Sequence, residues 1–171
     1  DLGDPDVMLV LCGDYIDHGW QAPEWFDRIR RLQEAHPGQV VVLKGNHEEA
    51  YLEAYGGTLP PETRRWMRDL PLFYETDRQI FVHAGIDEEA EGLWRVACED
   101  WYFLEKVPPS FGPFPKDIVG GHVGAYGLCG ENRVFWDGEA HFYLDGSTER
   151  SGVVPVLKYD SATGRYTTFW R

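Results

Sequence analysis

The stretch Val10–Gly19 reads VLCGDYIDHG and places two aspartates and a histidine directly after an apolar run. That run begins at Val7 and is continuous, which is typical of a strand buried on both faces of a sheet. The glycine after it permits a sharp turn. The stretch therefore predicts a buried strand whose carboxyl end opens into a polar loop, the kind of loop that carries binding or catalytic residues.

A second apolar run, Val40–Leu43, ends in the same way, and the residues that follow it at 45–48 read GNHE. Between the two runs, apolar residues recur at helical spacing from 22 to 36, and a Pro-Gly pair at 37–38 ends that helix. Strand, helix and strand in this order form a β-α-β unit with parallel strands. Ligands bind outside the carboxyl ends of such strands, so we expect both polar loops to share one site.

The rest of the chain predicts further helices and then mainly strands. The segment VPPSFGPFP at 107–115 contains four prolines and is predicted to be an irregular loop. Parallel units in the first part and hairpins in the second predict a mixed α/β fold. The predicted helices span 48–55, 60–70 and 88–104, and the predicted strands span 79–82, 117–119, 134–136, 140–144, 153–159 and 166–170.

Four predicted strands end in glycine beside a side chain that can bind a metal. These side chains are Asp14, Asn46, His83 and His122. A lone histidine after a strand is more often a hydrogen-bonded structural residue, but four such positions together indicate a metal site. Mixed carboxylate, amide and imidazole ligands suit manganese, iron or zinc.

Composition bounds the function classes. The 171 residues suit one domain, and the net charge of −13 disfavours a nucleic-acid partner. The three cysteines are widely spaced and odd in number, which favours a reducing, cytoplasmic compartment over a disulfide framework. No apolar run in the sequence is long enough to span a membrane.

Four blocks of this sequence resemble a known family. GDYIDHG at 13–19, GNHE at 45–48, HAG at 83–85 and GGH at 120–122 resemble the signature blocks of the PPP-type (calcineurin-like) metallophosphatases. Those blocks read GDxxDRG, GNHE, HGG or HAG, and GHT. The segment at 59–87, LPPETRRWMRDLPLFYETDRQIFVHAGID, looks like the branch of bacterial Ser/Thr protein phosphatases and symmetrical dinucleoside tetraphosphatases. The resemblance implies a single domain over 1–171 with a four-layer α-β-β-α sandwich and mixed sheets.

The resemblance also implies two divalent metal ions, with Mn²⁺ expected first and Fe or Zn as alternatives. Asp14 would bridge the two ions, and Asn46, His83 and His122 would complete the shell of the second ion. Two such ions neutralise the charge of a phosphate ester and activate a water molecule for in-line attack.

Three further residues take roles from the same resemblance. His47 would be the general acid that protonates the leaving alkoxide, and Asp17 would hydrogen-bond His47 and raise its pKa. Taken alone, Asp17 is a turn residue that satisfies local amides. Lys44 stands where the family often has a cationic phosphate contact, and a solvated lysine at a strand end is an equal alternative. Glu48 is interpreted only as a carboxylate stabilised at a helix N-terminus.

The implied activity is hydrolysis of phosphate monoesters by a bacterial-type Ser/Thr protein phosphatase with possible dual specificity. The alternatives are a symmetrical diadenosine tetraphosphate hydrolase and a degenerate, non-catalytic phosphatase-like binding domain. A phosphorylated protein or a small phosphoester is the expected partner, with no nucleic acid and no membrane. A metal-dependent nuclease is disfavoured by the net charge. The oligomeric state is left open.

Three departures from the family pattern are the reason for keeping the non-catalytic alternative open. The opening block GDxHG is absent, since only thirteen residues precede Asp14 and DLGDPD contains no Asp-x-His. We therefore expect this chain to lack the first strand and metal-binding loop of the domain, its N-terminal strand-helix portion being truncated. His18 stands where the family has a phosphate-binding arginine, although histidine is shorter and mostly neutral at pH 7. The block at 121–123 reads GHV, with Val123 after His122 where the family commonly has threonine.

Overall fold

The computed structural model describes residues 2–16 and 22–171, with the backbone alone for Ala22 and Pro23. Asp17 and His18, two of the predicted site residues, lie outside the described residues. Across the described part of the chain, no helix combines the length and the apolar character needed to cross a membrane.

The first layer is the predicted β-α-β unit. Strands β1 (Leu9–Leu11) and β2 (Val40–Val42) pair in parallel, and helix α1 (Ala22–Ala35) connects them. Helices α2 (Asn46–Tyr55) and α3 (Pro61–Arg68) follow β2. The core between strands and helices is formed by fully buried apolar side chains, among them Phe26, Val42 and Met67.

One feature of β1 differs from the prediction. Its residues Leu9, Val10 and Leu11 are half-buried rather than buried on both faces. The reason is the pairing: β2 is the one described strand that pairs with β1, so the other edge of β1 pairs with no described strand. In β2, by contrast, Val40 and Val42 are buried.

The second layer is a five-stranded mixed sheet in the order β3-β4-β5-β7-β6. The pairs β4–β5 and β5–β7 are parallel, and the two edge strands are antiparallel to their neighbours. The sequence pattern did not predict β3, which has only three residues. The strands are β3 (Phe73–Glu75), β4 (Gln79–Val82), β5 (Asp117–Gly124), β6 (Phe135–Trp136) and β7 (His141–Asp145).

Both faces of the second sheet are covered. On one face, Ile80, Val82 and Ile118 belong to a core cluster that also contains Trp94 and Phe103 from the following helical region. On the other side, the hairpin of β8 (Pro155–Asp160) and β9 (Arg165–Trp170) contacts the sheet. Its Tyr166 ring packs at a tilt against Phe142, and its hydroxyl accepts a hydrogen bond from Gln79 Nε2. Helices and mixed sheets therefore form the predicted α/β sandwich.

The predicted single helix over 88–104 is wrong. The segment is a 3₁₀ helix (Glu88–Leu93), then α4 (Trp94–Ala97) and α5 (Asp100–Glu105). The break has a backbone cause, since Glu91 takes a positive φ of 48° and Cys98 is extended. The apolar side chains of this segment do not form one buried face either, because Trp94 is buried whereas Leu93 and Trp101 are exposed.

The last part of the chain is not purely β. Two short helices follow strand ends, α6 (Ala125–Cys129) and α7 (Thr148–Ser151). Each is followed by a glycine in the left-handed region, Gly130 at φ 77° and Gly152 at φ 69°. Such glycines are common after helix ends. These two short helices were not predicted from the sequence, which indicated mainly strands for this part of the chain.

Candidate metal centre

The four predicted metal ligands meet at the carboxyl ends of β1, β2, β4 and β5. The ligand atoms of Asp14, His83 and His122 all lie within 4.8 Å of one another. The Asn46 side chain lies among them, with its Oδ1 2.9 Å from His83 Nε2 and 3.2 Å from His122 Nδ1. Asp14 Oδ2 is 3.4 Å from His83 Nε2. Side chains from four separate parts of the chain thus converge on one point.

The spacing of these atoms fits a bound divalent cation. A cation about 2.1 Å from each nitrogen or oxygen ligand holds neighbouring ligand atoms roughly 3.0–3.4 Å apart in octahedral or tetrahedral coordination. The three distances given above, 2.9, 3.2 and 3.4 Å, lie close to that range. One carboxylate, one amide oxygen and two imidazoles form a donor set for manganese, iron or zinc.

His83 is prepared for this role by a hydrogen bond on its other nitrogen. Its Nδ1 lies 2.8 Å from the carbonyl oxygen of Cys12. A carbonyl can only accept, so Nδ1 carries the hydrogen and Nε2 faces the centre, as in many metal-binding histidines. Burial raises the pKa of the Cys12 thiol to about 12, so this thiol is neutral at physiological pH.

The charges of His83 and Asp14 are coupled. Burial alone would lower the pKa of His83, but the hydrogen bond and negative charge of Asp14 outweigh burial and raise it. Burial acts in the opposite direction on Asp14, and His83 and His47 outweigh it and lower the pKa of that carboxyl. The Asp14 carboxylate lies close to two acceptor atoms, His83 Nε2 and Asn46 Oδ1. This arrangement favours a positive charge among the three groups, from either a proton or a metal cation.

Two tight glycine turns make the convergence possible. Gly13 has a φ of 94°, and a Cβ at this position would lie 2.7 Å from both Gly45 Cα and His83 Nδ1. No larger side chain fits there without moving the backbone. Asp14 itself has a φ of 55°, a region that is costly for a residue other than glycine. The GD and GN pairs of the sequence are therefore required by direct contact between the two loops.

His122 enters the centre from an irregularity in β5. The strand pairs with β7 through Gly120–Tyr143 and Gly124–Asp145, so three residues of β5 stand opposite one residue of β7. Such an irregularity is a β-bulge, and a bulge changes the direction of the side chains within it. His122 lies in this bulge and has a φ of 59°. Burial, together with the nearby charge of His83, lowers the pKa of His122 and keeps it neutral, the form that binds a metal.

Glu48 is a site residue whose role the sequence analysis missed. Its carboxylate is fully buried and accepts three backbone N–H groups: those of Asp14 at 2.8 Å, Tyr15 at 2.9 Å and Gly45 at 2.9 Å. Burial and the charge of Asp14 raise the pKa of Glu48. The GNHE block was the available signal, but a carboxylate at a helix N-terminus already has a local explanation. Two of its three partners, Asp14 and Tyr15, lie in the other loop.

The Tyr15 hydroxyl connects the ends of the two strands. It donates to the carbonyl oxygen of Leu43 at 2.6 Å and accepts the backbone N–H of Gly13 at 3.0 Å. The carbonyl oxygen of Leu11 lies 3.0 Å away as well. Because Asp14 follows one strand and Asn46 the other, this hydroxyl fixes the distance between two ligand loops.

His47 lies directly beside the predicted ligands. Its backbone N–H donates to Asp14 Oδ1 at 3.1 Å, and its ring Nδ1 donates to the carbonyl oxygen of Ile16 at 2.8 Å. With the hydrogen on Nδ1 fixed by a carbonyl, Nε2 is the ring atom that can exchange a proton with a substrate. Asp17, predicted to bond this ring, lies outside the described residues.

Lys44 is placed differently from a free phosphate-binding lysine. Its Nζ donates to the carbonyl oxygen of Arg68 at 3.0 Å and lies 3.1 Å from Glu49 Oε2. These contacts tie β2 to α2 and α3 and satisfy the ammonium within the protein. A phosphate contact by Lys44 stays a prediction, as does one by His18 beyond the described residues.

The comparison with protein families agrees with this geometry. A family model described as calcineurin-like phosphoesterase matches residues 1–152 of the chain. The matched region contains all four converging ligands and His47. Members of this family use divalent metal ions, as the donor set of this centre requires. The chain therefore belongs to the calcineurin-like phosphoesterase family.

Proposed function

We propose that the protein to which this chain belongs hydrolyses phosphate monoesters with two divalent metal ions and acts as a bacterial-type Ser/Thr protein phosphatase. Family membership supports the coarser class, a metal-dependent phosphoesterase. The observation that carries the proposal is the convergence of Asp14, Asn46, His83 and His122, with His47 bonded to the same aspartate. A proton donor thus stands next to a site built for a cation and an anionic substrate.

Asp14 is suited to serve two ions through its two oxygens. Oδ2 faces His83, and Oδ1 accepts the N–H of His47 on the other side. Its lowered pKa keeps the carboxylate ionised at neutral pH. Divalent ions, when bound, neutralise the phosphate's charge and lower the pKa of a coordinated water molecule. Mn²⁺ is the ion we propose, with Fe or Zn as alternatives.

The proposed role of His47 is to supply the proton that the leaving group needs. When the ester P–O bond breaks, the alkoxide takes a proton from Nε2 of the imidazolium, and the ring remains neutral with its hydrogen on Nδ1. The bond from Nδ1 to Ile16 fixes the ring for this transfer. Positioned general acids contribute about 10²–10⁴-fold to the rate.

The substrate class is proposed from the sequence resemblance at 59–87 and from charge. A net charge of −13 disfavours nucleic acid, whose phosphates attract basic surfaces. Phosphorylated proteins and small phosphoesters remain the proposed substrates. A non-catalytic phosphate-binding domain is the second candidate, favoured by His18 at the position of the family's arginine.

One set of assays tests the proposal. The purified protein with Mn²⁺ is given p-nitrophenyl phosphate, a phosphoserine peptide, diadenosine tetraphosphate and single-stranded DNA. We expect turnover of the first two, and an Asn46→Ala variant should lose it. Cleavage of diadenosine tetraphosphate without peptide turnover would replace the protein phosphatase assignment. Binding of Mn²⁺ and inorganic phosphate with no turnover of any substrate would establish the non-catalytic candidate.

A further inference from the structure

A buried cluster of charged and polar side chains lies next to the metal centre but contains none of its ligands. Charged side chains are seldom buried unless they are paired. In this cluster the side chain of Lys106 is 12% exposed, that of Glu88 19% and that of His141 2%. The members of the cluster are Glu88, Lys106, Ser110, Asp137 and His141.

Lys106 uses all three of its N–H groups inside the protein. It donates to the carbonyl oxygen of Ile86 at 2.5 Å, to Ser110 Oγ at 2.7 Å and to the carboxylate of Glu88. Its aliphatic stem crosses Gly85, where an added Cβ would lie 2.7 Å from Lys106 Cδ. The lysine therefore covers and holds the turn at 84–86.

That turn directly follows the metal ligand His83. The backbone N–H of Ala84 donates to the carbonyl oxygen of Phe103 in α5 at 2.7 Å. The carbonyl oxygen of His83 itself accepts the N–H of Gly121 at 2.8 Å, next to the ligand His122. Strand β5 fixes one side of this segment, and α5 with Lys106 fixes the other. The backbone that aims His83 is thus held from two directions.

His141 supports the cluster from strand β7. Its Nδ1 lies 3.0 Å from Asp137 Oδ2, and its Nε2 points at Glu88 Oε1 from 3.5 Å, too far for a good hydrogen bond. Burial raises the pKa of Glu88, but the nearby His141 ring and the hydrogen bond and positive charge of Lys106 outweigh burial and lower it to about 2. The carboxylate that holds Lys106 is therefore ionised.

Replacing a buried ionic cluster by well-packed apolar side chains is often neutral or stabilising, so packing alone does not explain its presence. A metal centre, however, requires its ligands to be held within a few tenths of an ångström. We propose that Lys106, held by Glu88 and Ser110, is a positioning residue for the metal ligand His83. It acts through the turn at 84–86, and the inference rests on the proposed metal-binding function.

The test compares Lys106→Met with Lys116→Met. Lys116 is a matched control because it also pairs with a carboxylate, Glu75, and donates to a backbone carbonyl, that of Thr76, yet it lies near the opposite end of β5. Mn²⁺ affinity is measured by calorimetry, and the visible spectrum of the Co²⁺-loaded protein reports ligand geometry. We expect Lys106→Met to weaken Mn²⁺ binding about tenfold and to change the Co²⁺ spectrum, as loss of an outer-shell partner does.

Unchanged Mn²⁺ affinity and an unchanged Co²⁺ spectrum in folded Lys106→Met would overturn the proposal. Equal losses in Lys116→Met would do the same, since they would show a general effect of stability. If Lys106→Met does not fold, Glu88→Gln keeps the shape of the side chain and removes the charge that holds Lys106. It should weaken Mn²⁺ binding in the same direction. Because these readouts need no turnover, absence of phosphatase activity in the unmodified protein leaves them interpretable.

Discussion

The carboxylate of Glu48 accepts the backbone N–H of Asp14 at 2.8 Å, although the two residues are 34 positions apart in the chain. Asp14 has a positive φ, which is unfavourable for its residue type. Three N–H donors on one buried carboxylate hold that conformation in place. The last residue of the GNHE block therefore positions the first ligand of the GD block.

We predict that Glu48→Gln destabilises the fold and weakens metal binding together. Glutamine replaces one carboxylate oxygen by an NH₂ group, which donates and cannot accept the backbone N–H groups that Glu48 now binds. At least one buried N–H group would then lose its partner. Such a group costs about 1–3 kcal/mol of unfolding free energy. Urea unfolding and Mn²⁺ calorimetry check the two effects. Glu53→Gln on the exposed surface of the same helix is the control, and equal behaviour of the two variants would refute the positioning role.

We predict that Tyr15→Phe loosens the metal centre while largely preserving the fold. The change removes one oxygen atom, and with it the link between the Leu43 carbonyl and the Gly13 N–H. Mn²⁺ affinity should fall by about tenfold, as for other residues that orient ligands. The matched control is Tyr74→Phe, because the Tyr74 hydroxyl makes no hydrogen bond within the described part of the chain. An affinity equal to that of the unmodified protein would show that the hydroxyl does not space the loops.

The converging ligands could be predicted because each carries a local signal. Asp14, Asn46 and His122 each directly follow a glycine after an apolar run, and His83 follows an apolar run two residues before a glycine. Parallel strands bring their carboxyl ends to one edge, so the pattern along the chain becomes proximity in space. The β-α-β unit was also predictable from local signals. Two continuous apolar runs indicate the strands, and apolar residues at helical spacing between them indicate the helix.

The residues that position the ligands carry no such signal. Glu48, Tyr15 and Lys106 act on partners in other loops, and those pairings depend on strand register and on turns of the folded chain. The broken helix over 88–104 was missed for a related reason. A helical period in apolar residues says nothing of the positive φ that Glu91 adopts. Long-range hydrogen bonds and single residues with positive φ are determined by the folded structure, so the local sequence pattern does not predict them.

We predict that acid unfolds the protein partly through Glu88. Its pKa is about 2 in the folded state against an ordinary value of 4.5. The folded state therefore binds this proton less readily than the unfolded state, and the stabilisation is present above pH 4.5. It is lost as the pH falls from 4.5 toward 2. Its upper bound is about 3 kcal/mol, from 1.36 kcal/mol per pKa unit.

Denaturant unfolding at a series of pH values measures this effect. In the unmodified protein the free energy of unfolding should decline as the pH falls from 4.5 toward 2. In Glu88→Gln this decline should be smaller. Glu139→Gln, an exposed glutamate for which no ion pair is described, serves as the control. If Glu88→Gln lost stability with the same slope as the unmodified protein, the decline would not come from the ionised Glu88 carboxylate beside Lys106 and His141.

We predict that His47→Asn slows hydrolysis by an amount that depends on the leaving group. A general acid matters most when the departing oxygen is strongly basic, as in phosphoserine, and matters less for p-nitrophenolate, which leaves without a proton. The kcat for a phosphoserine peptide should therefore fall by about 10²–10⁴-fold, and that for p-nitrophenyl phosphate by much less. Mn²⁺ affinity should be retained, because the ring is not among the converging ligand atoms.

The control for this experiment is His36→Asn, since His36 follows α1 and has no predicted role in the site. It should leave both rates unchanged. Equal losses on the two substrates in His47→Asn would assign His47 to binding or to the fold, because only proton donation distinguishes the leaving groups. A large loss of Mn²⁺ affinity would point the same way, through the bond between the His47 N–H and Asp14. A leaving-group-dependent loss with intact metal binding is the result that general-acid catalysis requires.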